Sequence, residues 1–293
     1  MRSGFIALLF MPLALAAQPV RVLFIGNSYT YVNDLPGLFD AFAASMGVDA
    51  ETAMSAPGGY TFSLHAQNSA TLQLLAQGGW DFVVLQEQSQ LPSFPIGQVQ
   101  AQCFPYAAQL AQLARAADPC TEVVYLMTWG RENGDNQNCG SWPPVCTYEG
   151  MQQLLRDRYV QMAVGNQGRC APAGAVWRAH RMLFPATGLY TDGSHPNIIG
   201  SYIAASALAC TLFRRSCEPA SYLPAGMTAE QASAIRQLAS AIVADSSSTW
   251  NIGATDPVAA AEWQAVGSQT VQFTAATSGA VAWQWQFGDG GSS

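Results

Sequence analysis

Apolar and polar positions follow two rhythms along the chain. Short runs such as "RVLFIG" (21–26), "WDFVVLQ" (80–86) and "TEVVYLMTW" (121–129) are apolar at successive positions and bounded by polar or glycine residues. Runs of this kind belong to strands buried on both faces of a parallel sheet. "VDAETAMS" (48–55) alternates like a further strand, and "AGAVWRA" (173–179) reads as the fifth. Between them lie longer helical stretches: 35–47, ended by Gly47; 61–79, with Phe62, Leu72 and Leu75 on one face and Gly78-Gly79 at its end; 98–117; 148–164; and 197–213. Residues 228–244 add one more amphipathic helix. Short strands separated by helices indicate βαβ units. The expectation is an α/β, three-layer α/β/α domain of about five parallel strands over residues 18–244, with no internal repeat.

The two ends depart from this pattern. Arg2, the apolar stretch "FIALLFMPLALA" and small residues around Ala14–Ala17 read as a signal peptide over residues 1–17. Its apolar part, about 13 residues, is short of the ~20 that span a membrane. After residue 244, "DSSSTWNIGATDP" is linker-like and a linker is expected over 245–264. Residues 265–293 then alternate like β structure. Their end, "WQWQFGDGG", with Trp285, Phe287, Gly288, Asp289 and Gly290, resembles the W-x-F-G-D-G signature of PKD modules. About seven strands make such a sandwich, so the segment reads as a partial PKD-like tail.

Composition narrows the function. Only 11% of the 293 residues are charged, the net charge is −7, and the basic residues are all Arg, with no Lys. Without a basic patch, nucleic acid is excluded as the main partner. Without Lys there is no P-loop, and neither G-x-G-x-x-G nor G-x-S-x-G occurs. None of the seven cysteines is spaced as C-x-x-C and none has a histidine nearby in sequence, so neither a metal nor another cofactor is expected. In an exported chain they read as disulfides. Cys139–Cys146 and Cys210–Cys217 are close enough to close small loops, Cys120 and Cys170 could meet at the sheet edge, and Cys103 is left over.

Ligands of open α/β sheets bind beyond the carboxyl ends of the strands. There the chain places Gly26-Asn27-Ser28, "APGGYTFSLH" (56–65), "QEQSQ" (86–90) and "YTDGSHPNIIG" (190–200). A serine becomes a nucleophile when a base takes its proton, and the base is oriented by an acid. Ser28 can be the nucleophile, and one loop supplies both Asp192 and His195. An oxyanion requires preorganised donors: the Ser28 N–H at a helix start, the backbone at Gly58-Gly59, and an amide of Gln86 or Gln88. Trp129, at a strand end, can wall a pocket.

These blocks, in this order, resemble the SGNH/GDSL hydrolases. "GNSYT" is similar to their first block, with Asn27 where the family name has Asp, and "TDGSHPN" to their Asp-x-x-His block; Gly59 fits the second-block glycine. "GGYTFSLHAQN", "WDFVVLQEQS" and the "TW" at 128–129 are similar to a branch carrying GGxxLxxHxxN and WDxVxLQxxS blocks, so the resemblance covers residues 20–215. It implies a flavodoxin-like sheet and metal-free ester hydrolysis, often of acetyl groups on sugars. Ser28, Asp192 and His195 take the triad positions, and the N–H groups of Ser28 and Gly59 two oxyanion positions. The family's G-x-N-D block is replaced by "LQEQS", which makes Gln86 the expected third donor. Gln88, the second choice for that donor, joins His65, within the branch motif, and Trp129 as candidates for contacting substrate.

The reading is an exported serine esterase, secreted or periplasmic, that forms an acyl-enzyme on Ser28. A carbohydrate O-acetylesterase is the leading form. The alternatives are a lipid or aryl esterase, or a non-catalytic secreted carbohydrate-binding module on the same scaffold. The expected partner is a small-molecule or polysaccharide ester, with no membrane span once the signal is removed.

Overall fold

A computed structural model describes residues 18–254 and the backbone of two further strands, 261–265 and 271–275. The signal sequence lies outside the described residues, as does the PKD signature at 285–290. Five parallel strands form one sheet: β1 (Val20–Ile25), β2 (Ala50–Ser55), β3 (Phe82–Leu85), β4 (Glu122–Leu126) and β5 (Arg169–Ala171). Their order is β2-β1-β3-β4-β5, the flavodoxin-like arrangement, in which the order reverses between β1 and β3.

The pleat sorts the strand side chains into two cores. Val22, Phe24, Val84, Val124, Leu126 and Ala171 point to one face. There they meet α2 (Leu35–Ser45), α8 (Ala173–Leu183), α9 (Ile198–Phe213) and α10 (Ala229–Ala244). Leu23, Ile25, Val83, Leu85, Val123, Tyr125 and Cys170 point to the other, against α4 (Ser69–Gln77), α6 (Phe104–Ala117) and α7 (Tyr148–Gly165). Both faces being covered, the inner strands β1, β3 and β4 are apolar at nearly every position, whereas the edge strand β2 is half polar. Of the remaining helices, α1 (Ser28–Tyr31) and α3 (Phe62–His65) are single turns, and α5 spans Ile96–Gln102.

The structure revises the sequence reading in several places. The helical stretch 61–79 is two helices, because the Asn68 side chain accepts the Thr71 N–H and starts α4 afresh. That at 98–117 breaks at Cys103, just before Pro105, which cannot continue a preceding helix. The stretch 173–179 is helix, not strand: Ala173, Val176, Trp177 and His180 line one buried face of α8 at helical spacing. The fifth strand is the three residues before Pro172.

Cys139–Cys146 and Cys210–Cys217 are disulfides. Cys120 and Cys170 are not paired: Cys170 is buried in β5 beneath α7, Cys120 is exposed, and both carry free thiols, as does the buried Cys103. The first part of the expected linker is packed. Trp250 is buried, its carbonyl accepts the Cys170 N–H at 2.9 Å, and its indole donates to Ile242 O at 2.8 Å. Beyond it, β6 (Ala261–Ala265) and β7 (Val271–Ala275) pair antiparallel. No helix among the described residues is long and apolar enough to cross a membrane.

Candidate active site

At the switch point, β1 ends in a turn held from both sides. The Asn27 side chain accepts the Tyr29 N–H at 3.1 Å, capping α1, and donates to Tyr60 O at 2.9 Å. Gln86, buried at the end of β3, accepts from Asn27 N–H at 3.1 Å and from the Thr30 hydroxyl at 2.9 Å. A side chain at Gly26 would come within 2.7 Å of that same Gln86 oxygen, so only glycine fits there. From the other side, His65 Nε2 lies 2.7 Å from Gly26 O and its Nδ1 2.9 Å from Thr71 Oγ1. A carbonyl only accepts, so the ring carries its proton on Nε2 and accepts from Thr71. Ser28 therefore sits at the first helical position on a backbone that its neighbours fix.

The second half of the site is the loop Thr191–Asn197. One Asp192 oxygen accepts the N–H groups of Ser194 (2.9 Å) and His195 (2.7 Å); the other lies 2.7 Å from His195 Nδ1. His195 Nε2 is 2.9 Å from Ser28 Oγ. Burial works against ionisation of Asp192, but hydrogen bonds from the His195 ring and from the backbone N–H groups outweigh it and hold the carboxyl at about 2. The aspartate is thus ionised at neutral pH and fixes the imidazole with Nδ1 protonated and Nε2 turned to the serine. The Asp192 and His195 side chains are 54% and 34% exposed, so the site opens directly to solvent.

The structure brings Ser28, Asp192 and His195 together, and it commits the Gln86, Gln88, His65 and Trp129 side chains to contacts within the protein. Gly59 is exposed, at φ +72°, a backbone conformation that glycine adopts without strain. Gln86 does not have the free amide expected of an oxyanion donor: its oxygen holds the turn that carries Ser28 and its Nε2 donates to Glu87 O. The Gln88 oxygen accepts Gln90 N–H (2.8 Å) and Leu91 N–H (3.0 Å), and its Nε2 lies 3.2 Å from Gln90 Oε1, so this side chain closes its own loop. His65 is wholly buried and cannot contact substrate. Trp129 is buried too, stacked between Tyr29 (4.8 Å) and Trp177 (4.2 Å), and is no pocket wall. Among the described residues, no group of three or more His, Cys, Asp or Glu side chains is placed to hold a metal ion.

Two residues not singled out in the sequence shape the site. Tyr29 meets the loop that carries His195: its hydroxyl lies 2.7 Å from Ser194 Oγ. Glu87, also wholly buried, accepts the Phe62 N–H at the start of α3 (3.0 and 3.2 Å) and the Gln88 N–H (2.6 Å). It ties the segment that follows Gly58-Gly59 to the end of β3. A charged residue directly after an apolar strand was the available signal for Glu87; for Tyr29 there was none beyond its adjacency to Ser28.

The sequence matches no family profile and no curated protein. Solved structures do match. A DUF4886 family protein from Bacteroides uniformis superposes with a TM-score of 0.63 at 20% identity, over 77% of this chain and 95% of its own. A proposed SGNH hydrolase from Slackia heliotrinireducens reaches 0.53 at 28% identity, over 66% and 98%. A proposed GDSL-like lipase from Parabacteroides merdae gives 0.50 at 15%, over 67% and 97%. With its five-stranded parallel sheet between helical layers, the chain has the fold of the SGNH hydrolases.

Proposed function

We propose that the chain is an exported serine esterase that hydrolyses carboxylic esters through an acyl-enzyme on Ser28, with carbohydrate O-acetyl groups as its substrates. The observation that carries this reading is the unbroken relay from Asp192 through His195 to Ser28, at 2.7 and 2.9 Å. In acylation, Ser28 Oγ attacks the ester carbonyl as His195 Nε2 takes its proton. The N–H groups of Ser28 and Gly59 stabilise the oxyanion. The protonated His195 gives its proton to the departing alcohol. Water then enters and attacks the acyl carbon as the same nitrogen takes its proton, and that proton passes to Ser28 Oγ as it leaves, releasing the acid and restoring the serine hydroxyl. Asp192 stays ionised throughout and steadies the imidazolium.

The open setting of Asp192 and His195 favours an ester carried on a bulky alcohol, since such a group reaches Ser28 without entering a tunnel. The same reading is suggested by the structural likeness to a proposed SGNH hydrolase and by the family resemblance of the motif blocks. Export is supported by the signal-like leader and agrees with the two disulfides.

The test is hydrolysis of 4-nitrophenyl acetate and acetylated xylan by the purified protein and by Ser28→Ala. Turnover of both, abolished in a folded Ser28→Ala, supports the proposal. Turnover of the aryl ester alone refutes the sugar assignment, and inactivity on both points to a non-catalytic binding module.

A further inference from the structure

The relay joins two elements far apart in the chain: Ser28 on α1 and His195 on an exposed loop. The Asp192 bonds to Ser194 and His195 are internal to that loop; they give it shape but do not tie it to the sheet. On either side of His195 the loop backbone is anchored, Gly193 O accepting the Glu132 N–H at 2.8 Å and Pro196 O the Asn33 side chain at 3.0 Å; between these anchors Ser194 meets Tyr29 and Trp129 and is held twice. Its Oγ lies 2.7 Å from the Tyr29 hydroxyl, and its carbonyl accepts the Trp129 indole N–H at 3.1 Å. Tyr29 and Trp129 are themselves stacked nearly parallel (3° between planes), and Trp129 is stacked again on Trp177 (5°). The edge of Tyr29 also meets the His195 ring, with centroids 5.6 Å apart at 73°.

We propose that Tyr29 is a positioning residue for His195: through Ser194, its hydroxyl ties the loop that carries the base to the helix that carries the nucleophile. The proposal rests on the esterase reading above. Tyr29 directly follows Ser28, so any drift of the loop relative to Tyr29 is a drift of His195 Nε2 relative to Ser28 Oγ. The aromatic stack makes the strut stiff, because Tyr29 is buried and packed face to face on Trp129, leaving its ring little freedom. Burial also raises the phenol above its usual range, offset in part by its hydrogen bonds to Ser194 and Ser89. It therefore stays protonated, and the strut itself does not titrate in the range where a serine esterase works.

Tyr29→Phe keeps the stacked ring and removes only the hydroxyl; Ser194→Ala removes its partner and serves if the phenylalanine variant does not fold. With 4-nitrophenyl acetate, each substitution is expected to lower kcat by about 5- to 30-fold with KM kept within about twofold. Attack geometry suffers while substrate contacts do not. The double variant should be no worse than the weaker single one by more than about twofold, since both remove one interaction. A wild-type kcat in Tyr29→Phe, or losses that multiply in the double variant, would overturn the proposal.

A second arm does not depend on turnover. Two-bond proton–nitrogen correlation spectra resolve the imidazoles of His65, His180 and His195. Wild type should show His195 locked with Nδ1 protonated, and Tyr29→Phe should show the two tautomers averaging. If wild type hydrolyses no ester, the esterase reading fails, and these spectra alone decide the strut. An unchanged His195 signal in Tyr29→Phe refutes it.

Discussion

Glu87 gives the fold a pH dependence that can be worked out in advance. Burial pushes its carboxyl up to about 8, although the N–H groups of Gln88 and Phe62 and the Cys103 thiol favour the charged form. In the unfolded chain the same group ionises near 4.5. Between these two values the unfolded state has lost a proton that the folded state still holds, so unfolding is favoured as pH rises. The gap of about 3.5 pH units, at about 1.36 kcal/mol each, sets a ceiling on the order of 5 kcal/mol. Relaxation and water entry bring a realistic loss to about 2–4 kcal/mol, still a large share of the ~5–15 kcal/mol that stabilises a domain. The loss begins near pH 4.5, grows through neutrality and is complete above pH 8.

Glu87→Gln isolates this effect, because the amide keeps one acceptor for Gln88 and Phe62 and does not ionise. Urea denaturation of both proteins at each pH from 5 to 9 gives the stability difference directly, and titrations common to the two cancel. The variant should gain about 2–4 kcal/mol relative to wild type between pH 5 and pH 8, whatever offset it has at pH 5. A difference constant within about 0.5 kcal/mol over that range would refute the reasoning. It would mean that the backbone N–H groups compensate burial completely and that Glu87 ionises alike in both states.

Other consequences follow from single features. Burial lowers His65 from its ordinary 6.5, the bond to Gly26 O notwithstanding, so the stability it contributes is whole above pH 6.5 and declines as pH falls below it. Glu87 acts in the opposite sense over the same range, so the decline is read as a difference: thermal denaturation at pH 7.5 and 5.0 should show wild type losing stability relative to His65→Gln at the lower pH, the Glu87 contribution being common to both. In Gly26→Ala the new methyl would press on Thr30 Oγ1 and Gln86 Oε1 and shift the turn that carries Ser28; we expect kcat to drop by about a hundredfold, measured on 4-nitrophenyl acetate. Each disulfide closes a loop of sequence separation 7. By chain entropy each contributes about 2–3 kcal/mol, so reductant should lower the urea midpoint, and the Cys139→Ala/Cys146→Ala variant should show about half that loss.

How far the chain could be read in advance depended on the range of the interaction concerned. The buried strands declared themselves because a sheet covered on both faces demands unbroken apolar runs, and β1, β3 and β4 supply them. β5 did not, because at three residues, "RCA", it is too short to make a run, while the apolar face of α8 beside it imitates one. The Asp192–His195 pair was legible because the two groups lie only three positions apart in one turn. Tyr29 was not, because its partner Ser194 is 165 residues away and only folding brings them together.

Gln86 and Glu87 are the instructive pair. In β3, Val84 points to the core of α2 and α9, while Val83 and Leu85 point to that of α4, α6 and α7. The alternation does not stop where the apolar residues do. Carried two positions further, it sends Gln86 toward β1 and the turn that carries Ser28. It sends Glu87 the opposite way, down among Phe62, Cys103 and Tyr159, whose hydroxyl accepts the Glu87 N–H at 3.1 Å. By residue type alone, Gln86 is an amide donor at a strand mouth, which is what the resemblance asked of it. By pleat it is a brace behind Ser28, its oxygen committed to Asn27 and Thr30 before any ester arrives. The direction of a side chain at a strand end thus decides its chemistry before its functional group does.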